Sequence, residues 1–413
     1  MIVALLATAA LATTWTVGDD APTVQATIER AGHGDTIVVP AGTWRGPVVV
    51  DKTVTLTSAG GVIDGGGAGS VVTVTAPGAV LDGLRITHSG RDLQGPDSCV
   101  YVAPEAIGAV VRNARLWNCA FGIWVHHTSD VRVLDNDITG IPEPIHPSKK
   151  GNGIQLFYST HLVVQGNVVR DTRDGVYVSA TQQSLIAENR ASGVRYGLHC
   201  MYSYDNTVRG NVMSDDVGGI ALMESHNLVV QDNVATDNER RGILFRDAEH
   251  CTITGNVVLR NGEGLFFFSS VDNDIEDNTI AHNKVGARVW AGSERNLVKG
   301  NAFVGNGQQV LYVASHDEQW GDADGGNYWS DYVGWDQDGD GLGDRPYRAA
   351  TFVAGLLARY PSAVLLLNSP ALELLGYLQA RMPALRTPSI VDPHPLVRPP
   401  KEDAWTSASI ASR

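Results

Sequence analysis

Positive charge is scarce in this chain: 31 Lys and Arg stand against 45 Asp and Glu, a net charge of −14 over 413 residues. A general nucleic-acid binder needs a basic footprint to displace counterions, so that class is excluded. Cysteine is scarce too. The four present, Cys99, Cys119, Cys200 and Cys251, are too few to staple a chain of this length. No run of eighteen or more apolar residues occurs, so nothing in the sequence spans a bilayer. What is abundant is glycine, with 45 residues, about 11% against a usual ~7%. It lacks the triplet period of collagen, and turn-rich β structure is the reading that remains.

The glycines fall in register. Segments opening at Gly153, Gly175, Gly197, Gly219, Gly242, Gly264 and Gly286 follow one another at 22, 22, 22, 23, 22 and 22 residues. An asparagine column keeps step at Asn167, Asn189, Asn211, Asn233, Asn256, Asn278 and Asn301. An earlier unit at Gly122 and Asn136 lies 31 residues ahead, which places an extra loop of about nine residues at 141–150. Units this short cannot close a core alone, but stacked they form a solenoid with coils about 4.8 Å apart. No helical stretch intervenes, so the expected fold is all-β, a right-handed parallel β-helix. The columns one and three residues after each glycine are apolar and face inward. The asparagines are expected at turns, where Asn tolerates left-handed dihedrals and its amide bonds the next coil.

The ends differ from this middle. Residues 1–12 are apolar and end in Ala10-Leu11-Ala12, a cleavage-site pattern, although no Lys or Arg precedes it. They are read as a signal peptide for export. Residues 23–31 have helical periodicity and are expected to cap the first coil, protecting its open edge. The solenoid is expected over 13–312, an Asp-rich closing loop over 313–348, and a helical segment with a Pro-rich tail over 349–413.

Chemistry is sought on the outward columns. Two after the glycine these read Trp124, Gln155, Tyr177, His199, Ala221, Leu244, Phe266 and Arg288; four after it, His126, Phe157, Ser179, Met201, Met223, Arg246, Phe268 and Trp290. A solvent-facing sheet should be polar, and this one is aromatic and thioether-rich, as a contact surface or soft-ligand site would be. Met201 and Met223 stand one coil apart, about 4.8 Å at the backbone. Two sulfurs about 2.3 Å from one metal lie at most ~4.6 Å apart, so both could hold one ion. His199 lies on the same face, and thioether with imidazole selects a soft ion such as Cu(I). The bland alternative is methionine packing against a partner. Cys200 and Met213 read as core, His146 as solvent loop, and His126 alone of the His126–His127 pair as outward. Asp336, Asp338, Asp340 and Asp344 are spaced like a calcium loop, but Tyr347 stands where a bidentate glutamate belongs, so a plain acidic turn stays equally open. The apolar 352–382 segment reads as a cap or as a docking element for a membrane partner. β-Helices are also common among polysaccharide lyases, epimerases and hydrolases, which need carboxylates or an Arg or Lys placed together on the outer face; these columns carry no carboxylate, and their only formal charges are Arg246 and Arg288, in different columns, so the enzyme reading is weakened and stays open.

The coil motifs GLHCMYS (197–203) and GIALMES (219–225), with NYWSDYVGWDQDGDGLGDRPY (327–347) and VDPHPL (391–396), resemble the NosD family over nearly the whole chain. That resemblance implies a periplasmic β-helix protein that catalyses no bond change. It would help to mature the copper centre of nitrous oxide reductase, with an ABC-type permease and ATPase and a copper-chaperone lipoprotein. On this basis His199, Met201 and Met223 are candidates for Cu(I), with calcium an additional candidate at the Asp-rich loop. Phe268, Trp290, Leu356, Leu357, Leu365, Leu372, Leu374 and Leu375 are candidates for partner contact, the membrane being reached only through the permease.

Overall fold

The computed structural model describes residues 12–349, 369–370, 374 and 388–400. The expected signal peptide therefore lies outside the described residues except for Ala12. So do Leu356, Leu357, Leu365, Leu372 and Leu375; Leu374 is helical and exposed. Among the described residues no helix is long and apolar enough to cross a membrane.

The chain is a parallel β-solenoid of about 14 turns, and it divides into two units, Met1–Arg173 and Asp174–Arg413. In the first unit the cap is a helix at Val24–Arg30, whose N-terminus is closed by Thr23 Oγ1 accepting from Ala26 N at 3.1 Å. Its last carbonyls are satisfied by Lys52 Nζ, which donates to the oxygens of Ile28, Glu29 and Ala31 at 3.0, 2.7 and 2.7 Å. Parallel strands follow, Ser98–Val102 pairing with Phe121–His126, and that strand with Ile154–Phe157. The 141–150 insertion is a loop with one short 3-10 turn, Pro147–Lys149, capped by exposed His146. Cys99 and Cys119 form a disulfide that links positions 20 residues apart. Cys200 and Cys251 are free and buried.

In the second unit each coil from Asp174 to Val304 carries one six-residue strand and two three-residue strands. The six-residue strands Asp174–Ser179, Tyr196–Met201, Gly218–Met223, Arg241–Arg246, Glu263–Phe268, Val285–Trp290 and Gln308–Val313 pair in parallel, each with the next. The inward columns Val176, Leu198, Ile220, Ile243, Leu265, Ala287 and Val178, Cys200, Leu222, Phe245, Phe267, Val289 are at most 2% exposed. Phe245 and Phe267 stack at 4.5 Å, and burying side chains of this size contributes about 1.5–3 kcal/mol each. Met213 is in the core as expected.

The asparagine column is a continuous ladder inside the turns. From Asn189 to Asn327 each side-chain amide donates to the Oδ1 of the next asparagine at 2.8–3.0 Å, and that same Oδ1 takes the backbone N–H of the coil before. Left-handed backbone falls one residue earlier than expected, at Glu188, Gly210, Asp232, Gly255, Asp277 and Gly300. Asparagine is there for its amide, and the preceding Gly, Asp or Glu makes the turn. The ladder ends where Asn327 N and Trp329 Nε1 donate to Asp392 Oδ2 at 2.7 and 2.9 Å. Trp329 stacks between Phe303 and Tyr347 at 4.4 and 4.3 Å. The VDPHPL motif thus closes the stack.

A second ladder runs through Asn238, Asn261, Asn283 and Asn306, and at its head the amide is replaced by Asp216. Its Oδ1 accepts from Val194 N at 2.9 Å, while Oδ2 is buried with no partner. Burial, with the nearby charges of Asp215 and Asp174, pushes this carboxyl up to about 8. A raised folded-state pKa means stability that is complete below the ordinary carboxylate range and is lost as pH rises toward 8. Thermal melts should therefore show the midpoint falling from about pH 4 to about pH 8, and Asp216→Asn should flatten that slope and raise the midpoint at pH 8. An unchanged slope in the variant would contradict this.

Candidate metal centre

Each repeat glycine faces inward: a Cβ at Gly197 would lie 2.5 Å from Met213 Sδ, and one at Gly175 would lie 2.7 Å from Ala191 Cβ. The residue after each glycine is inward as well, so strict alternation is broken there. The residue before the glycine consequently meets the outer-face side chains. Asp174 thus reaches His199, and Glu263 reaches Arg288 at 2.6 Å. The two outward columns themselves hold no carboxylate; Asp174 and Glu263 reach that face from the position before the glycine. The sequence pattern hid Asp174 because its place was assigned by unbroken period-two counting; the column Asp174, Tyr196, Gly218, Arg241, Glu263 was the available signal.

His199 is correspondingly different from its expected state. It is on the outer face but only 5% exposed. Its ring lies between Tyr177 and Tyr196, with centroids at 5.0 and 5.1 Å. His199 Nδ1 is 3.0 Å from Asp174 Oδ2, and Arg195 grips both oxygens of that carboxylate at 2.8 and 2.6 Å. Burial works to raise Asp174, but the bonds from Arg195 and His199 hold it below the usual carboxylate range. In the tautomer whose Nδ1–H donates to Asp174, the lone pair falls on Nε2, which is buried and has no partner. Metal-bound histidines are commonly oriented by such a carboxylate.

Met201 and Met223 are in register on neighbouring strands and both are half-buried. Tyr177 Oη donates to Met201 Sδ at 3.5 Å. Met223 and Tyr196 also pack against a small outer-face patch of Ala221, Leu244 and Phe266, which is buried rather than offered to solvent. Phe268 and Trp290 remain exposed further along the Met column. Two thioethers and a carboxylate-oriented imidazole form a donor set that suits a soft ion.

The other candidates separate. Ligand atoms of Asp336, Asp338 and Asp340 lie within 4.8 Å of one another, an oxygen set of the hard-cation type. Asp336 is held below the ordinary range by backbone N–H groups, chiefly that of Gly341. Asp344 is not part of that group; its carboxylate accepts from Gln337 N at 2.6 Å. Cys200 is interior, its thiol pushed up by burial.

The structure is thus a parallel β-solenoid with two thioethers and an imidazole on one outer face. A family model described as "Periplasmic copper-binding protein (NosD)" matches residues 135–334. A Pseudomonas aeruginosa protein named "Probable ABC transporter binding protein NosD" is 41% identical over 376 residues, 87% of each chain. Its namesake in Stutzerimonas stutzeri is 38% identical over 384 residues, 89% of this chain and 88% of that one. The chain belongs to the NosD family. Among solved structures, a mutant form of the periplasmic alginate epimerase AlgG is similar with a TM-score of 0.52 at 14% identity, over 68% of this chain and 82% of that one. The Azotobacter vinelandii mannuronan C-5 epimerase AlgE6 A-module is similar at 0.50 and 15% identity, over 72% and 93%. These likenesses concern the fold alone.

Removing the carboxylate that holds the site should be costly. Asp174→Ala leaves Arg195 without its partner and should lower unfolding free energy by about 3–5 kcal/mol in urea titrations. The Met201→Leu, Met223→Leu double variant keeps volume at partly exposed positions and should cost below about 1.5 kcal/mol per site. A mild Asp174→Ala effect would contradict the structural role given to that ion pair.

Proposed function

We propose that this chain binds and relays Cu(I) in the periplasm as a scaffold for maturation of the copper centre of nitrous oxide reductase. It would receive the ion from a copper-chaperone lipoprotein and work with an ABC-type permease and ATPase. The reading is supported by the copper-binding description of the family model and by relatives named for an ABC transporter. The observation that carries it is the in-register pair Met201 and Met223 on one accessible face.

Copper is cargo here, and the residues suit cargo. Thioethers are neutral, so a soft ion is taken up and released at them without moving a proton. The Tyr177 hydroxyl orients Met201 Sδ, and Asp174 with Arg195 fixes the His199 ring so that Nε2 carries the lone pair. Phe268 and Trp290 extend the apolar face for a partner. The 352–382 segment, with Leu356, Leu357, Leu365, Leu372, Leu374 and Leu375, docks on the permease.

Anaerobic Cu(I) titration against a competing chelator tests the copper reading. The Met201→Leu, Met223→Leu variant should lose more than the about 10–100-fold in affinity that removal of an outer partner of a metal ligand costs, with its melting curve retained. Equal affinity in both proteins would overturn the assignment. Deleting 352–382 should abolish co-purification with the permease while Cu(I) binding persists; retained association would remove that segment from the interface. The competing reading is a carbohydrate-active enzyme, favoured by Asp174, His199 and Tyr177 meeting on one outer face. Turnover of an acidic polysaccharide without copper uptake would put it first.

A further inference from the structure

A second group of soft-ion donors lies in the first unit, at the end of strand Phe121–His126. In an extended chain neighbouring side chains point to opposite faces, which is why the sequence places only His126 outward. His127, however, adopts a left-handed conformation with φ 52°, and this turns its ring toward that of its neighbour. The two imidazole centroids are 6.2 Å apart with planes at 68°. With metal–nitrogen bonds of about 2.0 Å and a ring radius added on each side, two imidazoles on one two-coordinate ion have centres about 6 Å apart.

The surroundings fix both rings. Tyr101 Oη bonds His126 Nδ1 at 2.7 Å, so Nε2 is the nitrogen left for a ligand. On the next coil Phe157 packs on His126 at 5.7 Å. Tyr158, itself left-handed at φ 50°, stacks on His127 at 6.1 Å and 21°. Neither histidine belongs to a group of three or more His, Cys, Asp or Glu ligands among the described residues. A zinc site, which takes four ligands, is therefore not what the arrangement offers. A closed-shell monovalent ion that accepts two nitrogens is, and aromatic walls favour such a cation by shielding it from water.

We propose that His126 and His127 form a second, all-nitrogen Cu(I) site, a two-coordinate bis-imidazole seat walled by Phe157 and Tyr158. It stands on donors of a different kind from the thioether pair and does not depend on that pair's role.

Ag(I), a redox-inert substitute for Cu(I), and Cu(I) itself test this on the full chain, with the histidine side chains followed by nitrogen-15 NMR. Wild type should bind two ions. His126→Gln, His127→Gln and Met201→Leu, Met223→Leu should each lose one, and the combined variant both. Copper bound to the Met-to-Leu variant should show nitrogen neighbours by X-ray absorption and no sulfur at about 2.3 Å. Should the double His variant melt early, His127→Gln alone decides, because its side chain is exposed; it should weaken the site at least about tenfold. Unshifted His126 and His127 signals at saturating Ag(I), or undiminished binding by the His variants, would overturn the proposal. Failure of the thioether reading would appear separately, as unchanged binding in the Met variant.

Discussion

The side-chain amide ladder is the interaction on which the rest of this molecule depends. A stack of parallel coils is held by backbone hydrogen bonds that would be equally satisfied after a slip, and a slip of one residue sends every side chain to the opposite face. The buried asparagines remove that freedom. Each amide donates to the coil ahead and accepts from the coil behind, from Asn189 through to Asn327, so a slipped coil would leave buried polar groups unpaired. Each such group costs about 1–3 kcal/mol. Because register is fixed at the turn, side chains a whole circuit apart in sequence stand level on the outer face. Met201 beside Met223 is a consequence of that lock.

The same architecture explains why a solenoid shared in outline with alginate epimerases can carry different chemistry. Fold supplies a regular outer sheet, and function is written by what stands on it. Here much of that sheet is closed off: Ala221, Leu244 and Phe266 form a small buried patch, and Asp174 is spent on Arg195 and His199. What stays accessible includes the thioethers, Phe268, Trp290 and the cationic Arg246, and the net charge of −14 makes the chain as a whole attractive to cations.

The period, the cap helix, the inward columns and the pairing of the two methionines could be read from the sequence because each is a one-dimensional pattern that a repeat preserves. What escaped depends on local departures from that pattern. Asp174 was hidden because strand alternation breaks at the inward glycine. The burial of His199 followed from the same departure, since its carboxylate partner was not expected on that face. His127 was assigned to the wrong face because a left-handed residue reverses direction in a single step. The Cys99–Cys119 link joins two coils that precede the regular repeat, where no column predicts who meets whom.

The central claim is that two thioethers on neighbouring coils share one soft ion. Anomalous diffraction at the copper edge from Cu(I)-loaded crystals measures this directly. The account predicts a copper peak between Met201 Sδ and Met223 Sδ, each about 2.3 Å away. Copper found only at the Asp336–Asp340 carboxylates, or none on the Met201 face of a loaded protein, would contradict it.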